Sequence, residues 1–185
     1  MPALPSTMVP LGTPLPHFDL PDVRTGLHVR TKDFTGRAVL VMFLCNHCPF
    51  VMHVRDEVAR LGREHSTGGL AVVGISSNDP ISYPEDAPER MAEEARSAQY
   101  CFPYCFDATQ QVARDFKAAC TPDFFLYDTH HLLAYRGCLD RSRPGSAIPV
   151  TGHELKMAIA AVLAGAPAST DQHPSIGCSI KWRGG

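Results

Sequence analysis

The chain has 185 residues, of which 44% are hydrophobic, 19% charged and 8% aromatic, with a formal net charge of −2. That is ordinary globular material, which excludes collagen-like and disordered classes, and its length suits one domain with some elaboration. The near-neutral balance gives no electrostatic drive toward nucleic acid or an anionic membrane surface, so neither is expected as a partner.

The opening Met1-Pro2-Ala3-Leu4-Pro5-Ser6 has no basic segment leading into an apolar one, and no later run reaches membrane length. The expected location is therefore cytoplasmic. Seven cysteines are present. In a reducing compartment a close pair points to catalysis or metal binding rather than to a structural cross-link.

Taken in chain order, residues 1–14 are Pro-rich and read as an extended arm, residues 15–165 as the folded domain, and residues 166–185 as a tail without clear periodicity. Phe18-Asp19-Leu20 and Leu27-His28-Val29, separated by a turn containing Gly26, predict a short hairpin. Ala38 to Leu44 is a continuous apolar run, the pattern of a strand buried on both faces, and it stops at Cys45. From Pro49 the spacing of Phe50, Val51, Val54, Val58 and Leu61 predicts a helix with Pro in its first turn.

Leu70 to Ile75 repeats the buried-strand pattern, and Met91, Ala92, Ala95 and Ala98 mark a second helix. A short strand at Tyr104-Cys105-Phe106 follows. Asp107 is the expected cap of a helix carrying Val112, Ala113 and Phe116. Phe124 to Tyr127 and Leu132 to Tyr135 flank Asp128-Thr129-His130-His131, a hairpin signal. Thr151 and Glu154 form a predicted capping box for a last helix closed by Gly165. The alternation predicts an α/β fold with a mixed sheet covered on both faces.

The chemistry-bearing motif is Cys45-Asn46-His47-Cys48, placed where a buried strand turns into a helix. This spacing lets two sulfurs bond across one turn, and a helix N-terminus favours thiolate over thiol. Cys45 is the expected nucleophile and Cys48 the resolving thiol. His47 between them can add a hydrogen bond or positive charge to the thiolate. Metal binding by Cys45, Cys48, His47 or His53 is the rival chemistry, but zinc motifs bring a second CxxC or His pair and none is present, so no metal and no cofactor are expected.

At these residues the chain resembles the thioredoxin superfamily, and within it the redoxin branch that groups with alkyl hydroperoxide reductase and thiol-specific antioxidant proteins. The resemblance spans about residues 15–165 and rests on Phe18-Asp19-Leu20-Pro21-Asp22, Phe34-Thr35-Gly36-Arg37, Cys45-Asn46-His47-Cys48-Pro49 and Cys120-Thr121-Pro122-Asp123-Phe124-Phe125-Leu126. The tail from Pro174 to Trp182 is also similar to that of redoxins carrying this motif. The resemblance implies a thioredoxin-like fold, a cis proline at Pro122 supporting the site, and a role for the Thr121 backbone in meeting substrate. Two departures stand out. Met42 occupies the place of the buried aspartate of thioredoxins. In the peroxiredoxin pattern Pro-x-x-x-Thr-x-x-Cys, Val41 replaces the proline and Cys45 the threonine, leaving Cys48 at the peroxidatic position.

Of the remaining cysteines, Cys105 is expected in the core and Cys101 and Cys138 to be incidental. Cys120 lies two residues before Pro122 and is a candidate for redox participation. So is Cys178, which from a mobile tail could reach an oxidised Cys45. Three functions follow: thiol–disulfide exchange on a protein or small-molecule disulfide with regeneration by an external thiol, thiol-dependent peroxidase activity, or a redox-sensing or metal-handling binding role.

Overall fold

The computed structural model describes residues 3–184. In chain order its elements run β1 (Ala3–Pro5), β2 (Asp19–Pro21), β3 (His28–Arg30), β4 (Ala38–Phe43), α1 (Pro49–Glu64), β5 (Leu70–Ser76), α2 (Pro88–Ser97), β6 (Tyr104–Phe106), α3 (Gln111–Asp115), β7 (Cys120–Thr121), β8 (Asp123–Tyr127), β9 (Leu133–Gly137), α4 (His153–Leu163) and β10 (Ile176–Ser179).

The apolar run before the cysteine motif is the middle strand, because both of its faces are covered. All six residues of β4 are buried. Successive side chains of a strand point to opposite faces. Leu40 and Met42 accordingly join a core with Val54 and Val58 of α1, Met91 of α2 and Ile159 of α4. Val39, Val41 and Phe43 join a second core with Phe18, Phe116 at the end of α3 and Ile180. The sheet order is β6-β5-β4-β8-β9, with β4, β5 and β6 parallel and β8 and β9 antiparallel. This is the mixed, helix-covered sheet the sequence pattern predicts. The predicted first hairpin is present as β2 paired with β3.

The tail differs from expectation. The tail is not irregular throughout, since β10 pairs antiparallel with β1 on one side and with β7 on the other. The arm is fastened to the body in the same way: Ser6 donates its N–H to Ser175 O at 2.9 Å, and Gly12 N–H reaches Leu133 O at 2.8 Å. Met1 and Pro2 of the arm lie outside the described residues. Four residues held by backbone bonds need no side-chain alternation, which is why periodicity misses β10.

Two caps also differ. Gly152, in the left-handed region at φ 68°, precedes α4 in place of Thr151. The Asp140 carboxylate, 11 residues earlier, accepts the N–H groups of Thr151 and Gly152 at 2.6 and 2.7 Å, so a remote side chain does the work of the local box. Asp107 does accept an N–H of α3, from Ala113 at 3.0 Å, but the helix begins only at Gln111.

Candidate active site

The motif begins where β4 has ended, and α1 starts at Pro49, so Cys48 is the residue immediately before the helix. The helix-terminal stabilisation expected for Cys45 therefore falls on Cys48, whose sulfur faces the unpaired N–H groups of the first turn. Hydrogen bonding from the Cys45 thiol, then from the Cys178 thiol and from the Val51 and Cys178 backbone N–H groups, holds Cys48 well below the ordinary thiol pKa despite burial. Cys45 is pushed the other way. It keeps its proton to donate to Cys48, it is buried, and the Asp86 carboxylate repels a charge on it. Of the two thiols, the surroundings thus favour ionisation of Cys48 and oppose that of Cys45.

Thr121 faces both sulfurs. Its Oγ1 is 3.1 Å from Cys45 Sγ, and its carbonyl oxygen accepts from Cys48 Sγ at 3.2 Å. The Thr121–Pro122 peptide is cis. Register pairing places Cys178 of β10 directly across from Thr121 of β7. Cys45, Cys48 and Cys178 all belong to the same buried core.

On the other side of Cys45 stands a polar network that the sequence reading does not contain. Asp86 is buried in the loop between β5 and α2. Its Oδ1 accepts the Asn46 N–H at 2.8 Å, and its Oδ2 accepts Asn78 Nδ2 at 2.7 Å and lies 2.8 Å from His47 Nδ1. Burial opposes the charge on Asp86, but the bonds from His47, Asn78 and Asn46 outweigh it and hold the carboxyl below its usual range. The same contact raises the His47 pKa, so the imidazolium is favoured. His47 stacks on Tyr83, with ring centroids 5.5 Å apart, and its Nε2 has no hydrogen-bond partner among the described residues. Asn46 is fixed further by Glu85 O and by the Tyr104 hydroxyl.

The carboxylate missing from β4, where Met42 stands, is thus supplied from a loop. Ligand sites in such sheets gather beyond the carboxyl ends of the parallel strands, so the Asp and Asn residues following β5 were the available signal. Cys45 Sγ, a His47 nitrogen and an Asp86 oxygen lie within 4.8 Å of one another, a set that could also hold a metal ion. His53 is elsewhere, with Nε2 2.7 Å from Ser142 Oγ. Cys120 is fully buried and its thiol is directed to Pro122 O at 3.8 Å rather than to the motif. Cys105 and Cys138 are buried and Cys101 is exposed. Beside Asn46 opens a cleft of about 590 Å³ lined by Glu85, Arg90, Glu93 and Glu94. Among the described residues no helix is long and apolar enough to cross a membrane.

Comparison with known proteins agrees with this geometry. Two solved structures align over nearly the whole chain. One, an uncharacterized conserved protein from Geobacillus kaustophilus, is 48% identical with a TM-score of 0.97, covering 100% of this chain and 98% of its own. The other, a hypothetical protein from Sinorhizobium meliloti 1021, is 45% identical with a TM-score of 0.95, covering 98% and 99%. A thiol:disulfide interchange protein, thioredoxin family protein from Chlorobium tepidum TLS, aligns at TM-score 0.64 and 17% identity, covering 82% of this chain and 97% of its own, which shows the fold. No curated protein matches. The AhpC/TSA family matches residues 11–136. The chain belongs to the AhpC/TSA family and is a redox enzyme of thioredoxin-like fold.

Proposed function

We propose that this protein is a cytoplasmic thiol–disulfide oxidoreductase in which Cys45 attacks a protein or small-molecule disulfide and Cys48 resolves the mixed disulfide. The observation that carries the reading is the pair of thiols gathered against Thr121, with Cys48 immediately before α1.

Cys45 gives up its proton and attacks one sulfur of the substrate. The substrate S–S bond breaks, and its leaving thiolate takes up the proton that Cys45 has lost. Cys48 loses its proton to the second leaving sulfur as it attacks Cys45 Sγ. The Cys45–Cys48 disulfide forms and the second product thiol departs. Two electrons and two protons reach the substrate, and an external thiol reduces the pair again. Thr121 and Pro122 support the geometry, and the cleft beside Asn46 offers a face for approach.

A second reading has its own observation. Cys48, whose ionisation the Cys45 and Cys178 thiols and the start of α1 favour, is the residue at the peroxidatic position of the family pattern, so peroxide is a competing oxidant. The test is parallel turnover of insulin disulfides and of hydrogen peroxide with dithiothreitol as reductant. The exchange reading expects insulin reduction that falls on the order of a thousandfold or more in Cys45→Ser and in Cys48→Ser. Peroxide consumption that survives Cys45→Ser, with no insulin reduction by the parent protein, would overturn it in favour of the peroxidase.

A further inference from the structure

The sequence reading treats Cys178 as a mobile-tail residue able to reach Cys45. In the structure it is neither mobile-tailed nor next to Cys45 alone. It is 5% exposed, in the middle of a strand paired on both edges, opposite Thr121. Thr121 O is also the acceptor of Cys48 Sγ. Gly177, the neighbour of Cys178, sits so close that a Cβ there would meet Thr121 O at 2.0 Å, which lets β10 approach β7 this tightly. A glycine at that position has a packing role that no bulkier residue could fill.

We propose that Cys178 is a third redox thiol whose partner is Cys48, so that the site passes its disulfide inward from Cys45–Cys48 to Cys48–Cys178. This deepens the exchange function proposed above and rests on it for the first oxidation. The step is a thiol–disulfide exchange: Cys178 gives up its proton and attacks Cys48 Sγ, the Cys48–Cys178 bond forms, and the Cys45–Cys48 bond breaks. Cys45 leaves as a thiolate and takes up the proton, so no external oxidant or reductant enters.

Burial, followed by the hydrogen bond to Cys48 and negative charge on Cys48, pushes the Cys178 thiol up to about 11. Once Cys48 is in a disulfide that charge is gone, which eases ionisation of Cys178. The inward transfer thus follows oxidation and does not compete with it. Its consequence is an oxidised protein in which Cys45 is again a free thiol while the oxidising equivalent is held between Cys48 and Cys178.

The experiment oxidises fully reduced protein with oxidised glutathione, quenches in acid, alkylates free thiols and maps linked peptides by mass for the parent, Cys45→Ser, Cys48→Ser and Cys178→Ser. The expected result is a Cys48–Cys178 peptide in the parent and in Cys45→Ser, its loss in Cys178→Ser, and no Cys45–Cys178 peptide in Cys48→Ser. A Cys45–Cys48 link in the parent with no Cys48–Cys178 link in either parent or Cys45→Ser overturns the relay and leaves the exchange function standing. A Cys48–Cys178 link without any Cys45–Cys48 link, even in Cys178→Ser, supports the inner pair and overturns the exchange reading. A Cys178→Ala variant giving the Cys178→Ser result guards against a folding artefact.

Discussion

The two sides of the thiol pair are built by opposite means. Toward Asp86 the site is a charged network from the loop after β5, in which His47, Asn46 and Asn78 converge on one buried carboxylate. Toward β10 it is backbone ladder, with Cys178 and Ser179 paired to Thr121 and Cys120 and Gly177 packed on Thr121 O. The first side sets protonation, since Asp86 opposes charge on Cys45 and favours it on His47. The second sets proximity and holds a third sulfur beside Cys48. Asn78 joins them, giving Nδ2 to Asp86 and accepting the Lys181 N–H at Oδ1 just beyond β10.

The comparison breaks most severely on the charged side. Asp86→Ala strands the Asn46 N–H, the Asn78 amide and a half-buried imidazole, and its expected cost is roughly 3 kcal/mol or more in urea unfolding. On the ladder side Gly177→Ala forces β10 away from Thr121 and is expected to destabilise by about 2–3 kcal/mol. It should also lose the Cys48–Cys178 peptide while retaining the Cys45–Cys48 peptide, which Asp86→Ala would not discriminate.

A smaller effect sharpens the contrast through pH. His47 has a raised folded pKa, so its stabilising contribution is complete below the unfolded value of 6.5 and fades as pH rises through the folded value. Asp86 has a lowered one, so its contribution is present above the unfolded value of 3.8 and fades as pH falls through the folded value. The stability gap between the parent and His47→Ala should therefore be widest between those two unfolded values and should narrow in alkali. A gap that is flat with pH would contradict the ion pair. The smallest change belongs to neither side: Cys101→Ser, at an exposed thiol, should leave the unfolding midpoint within about 0.5 kcal/mol of the parent.

What could be read from sequence divides along the same line. The Ala38–Leu44 run ending at Cys45, followed by Pro49 and the periodic Val51, Val54 and Val58, announces a strand-to-helix junction because both elements bury continuous apolar faces. Pro122 is legible only through resemblance. Asp86 is hidden, because an acidic residue in a Pro-rich loop reads as solvated until the fold closes over it. Cys178 is hidden for another reason: β10 is four residues long and is specified by its neighbours' backbones, not by its own pattern. The start of α1 at Pro49 is legible, and with it Cys48 as the residue before the helix; the partners of its sulfur, Thr121 and Cys178, are not, because β7 and β10 supply them.

The central claim is that Cys45 is the attacking sulfur and Cys48 the resolving one. Reduced Cys48→Ser protein, treated with a small excess of oxidised glutathione and digested after acid quench, tests it directly. The account predicts a stable glutathione mixed disulfide on Cys45, absent from the parent because Cys48 resolves it. An adduct confined to Cys178, or none on Cys45, would contradict it.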